Sequence, residues 1–308
     1  MTDTDPVVRP DLSVIIASFN AQRTIIACLE SLRNQQTGHT YEVIVVDSST
    51  DGTPDLIRQH FPHVKLVSSP DRLFPGKARN VAISAARADI VASIDADCQA
   101  EPDWVEQLIQ AHQSPRLIVG GPIGCANPQS FSGWVYYFCE LSQWMPGTRA
   151  SIMVDLPAAN TSYKRVTFER YGQFLGTGYC SDTEMHWRVG KDGQQPLFVP
   201  SAIVHHNNPP GFAAQLRHHA FHGRSFARVR TRYQGFSLAR CLAYLMISPI
   251  IPVRIFGKIV RNNLANRIYL HKFLVVWPLV AVGAICWSLG EAVGYAESLV
   301  TWLAERDR

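Results

Sequence analysis

Two carboxylates one residue apart, in Ser93-Ile94-Asp95-Ala96-Asp97-Cys98, close an apolar run that begins at Asp89. Hard divalent cations such as Mg2+ or Mn2+ take carboxylate oxygens together with substrate phosphates. Asp95 and Asp97 are therefore candidates to share one such ion, directly and through water. Two earlier apolar runs end in the same manner, with Ser18 and Asn20 after the first and Asp47 after the second. In an open parallel sheet, ligands bind beyond the carboxyl ends of the strands. These side chains are expected to meet on one edge, although Asp47 also opens Asp47-Ser48-Ser49-Thr50-Asp51-Gly52-Thr53, which is ordinary turn chemistry.

The elements that must position them follow from periodicity. Apolar strand-like runs at 12–17, 43–46, 64–67, 90–94 and 117–119 alternate with helical patterns at 21–35, 54–60, 77–87 and 102–112. Pro102 suits the first turn of its helix, where no amide hydrogen is required. This alternation predicts an α/β fold with a mostly parallel sheet covered by helices on both faces. From Asn127 to about Pro200 the alternation loosens. An aromatic-rich 131–144 and short helices at 166–171 and 183–189 suggest a second subdomain on the same sheet. The divisions expected are a flexible 1–11, a ligand-binding half over 12–125, a second half over 126–234, and a membrane-associated helical region over 235–308.

Composition bounds the function. The chain has 308 residues, of which 46% are hydrophobic, enough for a sizeable core. Seven scattered cysteines without a Cys-x-x-Cys indicate neither a zinc site nor a disulfide framework. The first eleven residues lack an apolar stretch, so no cleavable secretory signal is expected and the bulk of the chain is placed in the cytoplasm. Net charge is only +4, yet Arg217 to Lys272 carries a dense block of cations, which suits an anionic surface, membrane or nucleic acid. Residues 273–290 hold no charge, near the length of a membrane span. Residues 238–256 are apolar but broken by Arg240, Pro249, Pro252 and Arg254, a pattern for an interfacial or re-entrant segment. A dinucleotide-binding site is disfavoured because no Gly-x-Gly-x-x-Gly follows the first strand. Pro75-Gly76-Lys77-Ala78 lacks the first glycine of a phosphate loop, with Asp71 in its place.

Four motifs in order resemble the family 2 glycosyltransferases, inverting enzymes with a GT-A fold that use nucleotide-sugar donors. They are Ser13-Val14-Ile15-Ile16-Ala17-Ser18-Phe19-Asn20, Val45-Val46-Asp47-Ser48-Ser49-Thr50-Asp51-Gly52-Thr53, Gly76-Lys77-Ala78-Arg79-Asn80, and Asp95-Ala96-Asp97. The resemblance implies that Ala17, Ser18 and Phe19 wall the base and ribose, and that Asp47 contacts the base. It puts Lys77 and Arg79 between base and diphosphate, and Asp95, Ala96 and Asp97 on the DxD motif, with Asp97 the direct ligand of Mn2+ or Mg2+. Ser48 departs from the common pair of acids after the second strand, which leaves the base open.

The resemblance also covers Ser181-Asp182-Thr183-Glu184, where Asp182 matches the catalytic aspartate and Ser181 replaces the usual glutamate. Asp182 is expected as general base, and could also cap the helix that follows. Ala202-Ile203-Val204-His205-His206 is expected as a last strand whose His205 supplies a third metal ligand, with His206 next in order. The Gln-x-x-Arg-Trp motif of processive synthases is absent, since Gln215-Leu216-Arg217-His218-His219 only begins like it. Asn160-Thr161-Ser162 has the form of a glycosylation acceptor but is read as a strand near the acceptor side. The function expected is transfer from a UDP- or GDP-linked sugar to a lipid-linked or membrane-delivered acceptor at the cytoplasmic face of the cell membrane. The bilayer, and not nucleic acid, is then the anionic partner. The alternatives are a nucleotidyltransferase making nucleotide sugars, which would need a basic glycine-rich loop after the first strand, and a non-catalytic membrane-binding module.

Overall fold

The computed structural model describes residues 9–306. Of the stretch expected to be a flexible N-terminus, residues 1–8 lie outside the described residues, whereas Arg9 pairs with Asp89 and donates to the Arg87 carbonyl.

The first half runs β1 (Leu12–Ser18), α1 (Ile25–Arg33), β2 (Tyr41–Asp47), α2 (Thr53–His60), β3 (Lys65–Ser68), α3 (Pro75–Ala85) and β4 (Ile90–Ile94). It continues through β5 (Cys98–Ala100), α4 (Trp104–Ala111), β6 (Ile118–Gly120) and β7 (Ile123–Cys125). The second half holds α5 (Phe131–Glu140), β8 (Ser151–Ile152), β9 (Asn160–Lys164), α6 (Val166–Tyr171), α7 (Ser181–Gly190), β10 (Leu197–Phe198) and β11 (Val204–His206). Four helices close the chain: α8 (Phe212–Tyr233), α9 (Leu238–Ile247), α10 (Ile251–Asn266) and α11 (Leu270–Arg306).

The main sheet has the order β3-β2-β1-β4-β9-β6-β10-β8, and a small sheet has the order β5-β11-β7. Strands β1 to β4 pair in parallel, while β9 runs antiparallel between β4 and β6 and so joins the two halves in one sheet. β1 is apolar throughout because both of its faces are covered. Leu12, Val14 and Ile16 pack into one core, and Ile15 joins Ile44 and Val46 in the other, as the two-residue period of a strand requires.

Asn160 clamps the two sheets together. Its amide donates to the carbonyls of Pro122 and Ala202 at 2.8 Å each, and its carbonyl accepts from the Trp104 indole at 2.8 Å. The side chain is fully buried, so the Asn160-Thr161-Ser162 sequence serves packing.

The C-terminal helices share the main core. Phe273, Val276 and Val280 of α11 belong to the same buried cluster as β1 and α5, with Phe273 edge-on to Phe138 of α5 at 5.2 Å. α11 crosses α8 with backbones in near contact, because a Cβ on Gly290 would stand 1.9 Å from the Ala220 carbonyl oxygen and one on Gly223 would stand 2.2 Å from that of Trp287. Small residues at such a crossing, here Gly290 and Gly294 four apart, let two helices approach closely. Leu274, Val275, Trp277, Leu289 and Val300 meanwhile face outward from α11, and Met246, Ile250 and Val253 from the segment before it. Among the described residues, α11 is the one helix long and apolar enough to cross a membrane, while α9 and α10 bend by 67° at their break.

Candidate active site

A cavity of about 740 Å³ opens at the carboxyl ends of β1 and β4. Ala17, Ser18 and Phe19 line it from the end of β1, and Asp95, Ala96 and Asp97 from the turn between β4 and β5. The Arg72 guanidinium lies 4.3 Å from the centre of the Phe19 ring, giving one wall a flat cationic and aromatic face. Ser18 Oγ is buried among these groups and makes no hydrogen bond within the protein.

The small sheet brings the histidine pair to the acids. β11 runs antiparallel to β5 with His206 opposite Cys98 and His205 opposite Gln99. Consecutive side chains of a strand face opposite ways. His206 therefore turns toward Asp97, with Nε2 3.4 Å from the carboxylate, while His205 turns away and meets Glu101 at 2.6 Å. His206, and not the expected His205, is thus the histidine beside Asp97. Nδ1 of His206 lies 2.9 Å from Asn208 Oδ1, an acceptor, so Nδ1 carries a proton and Nε2 is the nitrogen aimed at Asp97. Tyr136 stacks on the other side of the imidazole at 5.6 Å.

These groups fit a hard divalent cation. They offer one carboxylate oxygen and one imidazole nitrogen, with Asp97 and the neighbouring Asp95 both lining the cavity. Cys98 also lies within reach of Asp97 and His206, but burial, with the Asp97 and Asp95 charges behind it, pushes its thiol well above the ordinary range, so it stays protonated. Burial likewise raises Asp97, the neighbouring Asp95 adding to it and His206 opposing it.

Arg79 links the two acid groups. It is nearly buried, donates to Asp95 Oδ1 at 2.7 Å, and bonds Ser93 Oγ at 3.2 Å. Gly76 makes this placement possible, because any Cβ there would stand 2.1 Å from the Leu175 carbonyl oxygen and 2.9 Å from Ser181. The glycine seats α3 against the start of α7. On α7, Asp182 sits in the first turn behind Cys180, which is the N-cap in a left-handed conformation, so the expected cap is displaced by two residues. The Asp182 carboxylate accepts from the Ala158 amide at 2.9 Å. Burial opposes its ionisation, but Arg79, then His186 and the amides of Ala158 and Thr183, outweigh it and lower the pKa.

Besides His205, three expected residues stand apart from the cavity lining. Asp182 lies behind Arg79, and Lys77 is exposed on the first turn of α3. Asp47 is buried, its carboxylate accepting from the Ser49 amide at 3.1 Å and the Ser49 hydroxyl at 2.7 Å. Conversely, the cavity includes Arg23, Arg72, Asn127, Ser130, Tyr179, Asn207 and Asn208, which motif reading did not select. The polar run Asn207-Asn208 directly after the last strand was the available signal, since strand ends are where ligands bind.

Comparison with known proteins bears on the family and the fold. The family described as Glycosyl transferase family 2 matches residues 13–169, half of the chain. The chain is 38% identical over 103 residues to the succinoglycan biosynthesis protein ExoO of Rhizobium meliloti (strain 1021), a match spanning 33% of this chain and 29% of that protein. It is 31% identical over 134 residues to the glycosyltransferase AglE of Haloferax volcanii, spanning 42% of this chain and 43% of the relative. In fold it is similar to the mannosyltransferase PcManGT from Pyrobaculum calidifontis, solved with GDP-Man and Mn2+, at a TM-score of 0.55 and 21% identity over 99% of this chain and 82% of that one. It is similar also to GalNAc-T7, solved with UDP, GalNAc and Mn2+, at a TM-score of 0.54 and 15% identity over 71% of this chain and 47% of that one. The mixed sheet with its strand-end acids is therefore a GT-A fold, and the chain belongs to glycosyl transferase family 2.

Proposed function

We propose that the chain transfers a sugar, with inversion, from a UDP- or GDP-linked donor to a lipid-linked or membrane-delivered acceptor at the cytoplasmic face of the cell membrane. The observation that carries this reading is the convergence of Asp95, Asp97 and His206 at the edge of one large cavity, with Asp182 one guanidinium behind them. Asp97 and His206 would hold Mn2+ or Mg2+, an ion that when bound stabilises negative charge on a leaving diphosphate. Phe19 and Arg72 offer a surface on which a base can lie, and Ser18 Oγ a free donor for its ribose. Arg79 pairs with Asp95 and favours the ionised form of Asp182. The acceptor oxygen attacks the anomeric carbon, the bond from that carbon to the diphosphate breaks, and the acceptor proton passes to Asp182.

A second acceptor chemistry is favoured by one observation. A general base works best with a pKa near the working pH, whereas Asp182 is held below the ordinary aspartate value. An acceptor that is already ionised, such as a lipid phosphate, needs little from such a weak base. Membrane attachment is supported by the outward apolar residues of α9 to α11 beside Arg254, Lys258 and Arg261.

A donor screen scored by release of nucleoside diphosphate, with Mn2+ or Mg2+ present, tests the reading. Turnover with a UDP- or GDP-sugar is expected, and its absence with every such donor in the presence of lipid acceptors would sink it.

A further inference from the structure

Behind the cavity wall lies a second group of metal-binding side chains. His218 and His222 are four residues apart on α8 and so share one face of the helix. Glu140, the last residue of α5, faces them. One ligand atom from each of the three lies within 4.8 Å of the others. The Glu140 carboxylate is largely buried, with Oε1 2.5 Å from His219 Nδ1 and Oε2 3.0 Å from His222 Nδ1. Aromatic rings close the surroundings, Tyr179 at 5.8 Å from both His218 and His222, and Trp287 at 4.8 Å from His222.

We propose that Glu140, His218 and His222 form a second divalent-metal site, of the kind that takes Zn2+, separate from the pair Asp97 and His206. Two imidazoles at helical i,i+4 spacing with one carboxylate are a donor set suited to zinc. The fit is close, since two such ligands on a tetrahedral zinc are about 3.4 Å apart for metal–ligand bonds of about 2.1 Å. The present 3.0 Å between Glu140 Oε2 and His222 Nδ1 needs to open only slightly. His219 then keeps Glu140 Oε1 and fixes the carboxylate from behind.

The site is built from protein groups alone, so it would load without a nucleotide. It would tie α5 to α8 and fix the ring of Tyr179, a wall of the cavity. Cys180, next in the chain and hydrogen-bonded to His222, caps the helix that carries Asp182. The ion would therefore act as a structural clamp behind the acceptor side.

The test uses the full chain in detergent, stripped with EDTA and titrated with Zn2+ against a chromophoric chelator in the absence of nucleotide. One tight equivalent is expected, weakened by at least the roughly 10- to 100-fold typical of losing even an outer-shell partner in Glu140→Gln or His222→Gln, and unaffected by Asp97→Ala. No stoichiometric uptake by the wild type would overturn the proposal, as would uptake abolished by Asp97→Ala and kept by Glu140→Gln. Should the variants fold poorly, X-ray absorption on the zinc-loaded wild type decides. A shell of nitrogen and oxygen with two imidazoles supports the site, and sulfur in the shell, as Cys98 would give, overturns it.

Discussion

Arg79 stands between two carboxylates of different parts of the chain, bonding Asp95 at 2.7 Å and outweighing burial to keep Asp182 ionised. Lysine cannot reproduce that contact, because the guanidinium also reaches Ser93 through Nε. Arg79→Lys is expected to lower kcat/KM by about 10-fold or more, since a charged hydrogen bond contributes roughly 1.5–3 kcal/mol. It should also move the acid limb of the pH–rate profile to higher pH, because the shorter-reaching ammonium of lysine replaces the guanidinium that lowers Asp182. A profile identical to that of the wild type would contradict the link.

The parity of β11 makes a sharp distinction between neighbours. Calorimetric titration with Mn2+ and a nucleoside diphosphate should show binding lost in Asp97→Ala and His206→Ala and kept in His205→Ala. Asn208→Leu should weaken the metal about 10- to 100-fold by releasing the His206 tautomer, the usual cost of removing an outer hydrogen bond. Binding lost only in His205→Ala would reverse the assignment.

Asp182→Asn separates the two acceptor chemistries. Donor binding should persist in both cases. Transfer to a hydroxyl acceptor should fall by about 10²–10⁴-fold, the usual contribution of a general base, whereas transfer to a phosphate acceptor should fall far less. Equal losses with both acceptors would leave no base role to assign.

Acid stability follows from groups buried in an uncharged or shifted state. Burial lowers His112 to about 3, assisted by Lys164, and lowers His186 to about 4. Their folded pKa values lie below the unfolded one, so stability is complete above about pH 6.5 and is lost as pH falls through that window. Asp155 works in the opposite sense, because burial and then Asp182 raise it to about 6, and it favours the folded state at the acid end. These three groups by themselves contribute a net of about one proton, a slope of about 1.4 kcal/mol per pH unit between roughly pH 4 and 6. Denaturant unfolding should show this slope flattened by His112→Gln and steepened by Asp155→Asn. Slopes unmoved by both changes would refute the assignment.

Deleting residues from 238 onward would strip Phe273, Val276 and Val280 from the core, so surface changes are the better test of membrane attachment. Replacing the outward Met246, Ile250 and Val253 by glutamate should reduce sedimentation with anionic vesicles while the protein stays folded. Unchanged sedimentation would argue against that face as the contact.

Much of the catalytic half was legible because β1, β2 and β4 are long apolar runs whose ends carry acids. Of the strands that complete the site, β11 was expected within 202–206, whereas its partners β5 and β7, three residues each, were not. Periodicity needs more residues than that to register. The choice between His205 and His206 depended on a one-residue register set by pairing with β5, which no local pattern carries. Helix α4 begins at Trp104, leaving Pro102 in the turn before it, a shift of the kind that leaves helix type intact. The uncharged run 273–290 understated α11, which continues because Glu291 accepts from the Trp287 indole and Glu297 forms a two-pronged pair with Arg224. Those acids face protein, so charge did not end the helix.

The close crossing of α8 and α11 has a consequence for how far the enzyme can reach. With Gly223, Gly290 and Gly294 leaving no room for slack, the long apolar helix is riveted to the helix that follows the last strand of the site. A bilayer gripping α11 would thus hold the cavity mouth at one altitude above the lipid headgroups. Substrates would be sorted by a ruler as well as by a pocket, and only acceptors whose reactive end stands at that altitude would be served.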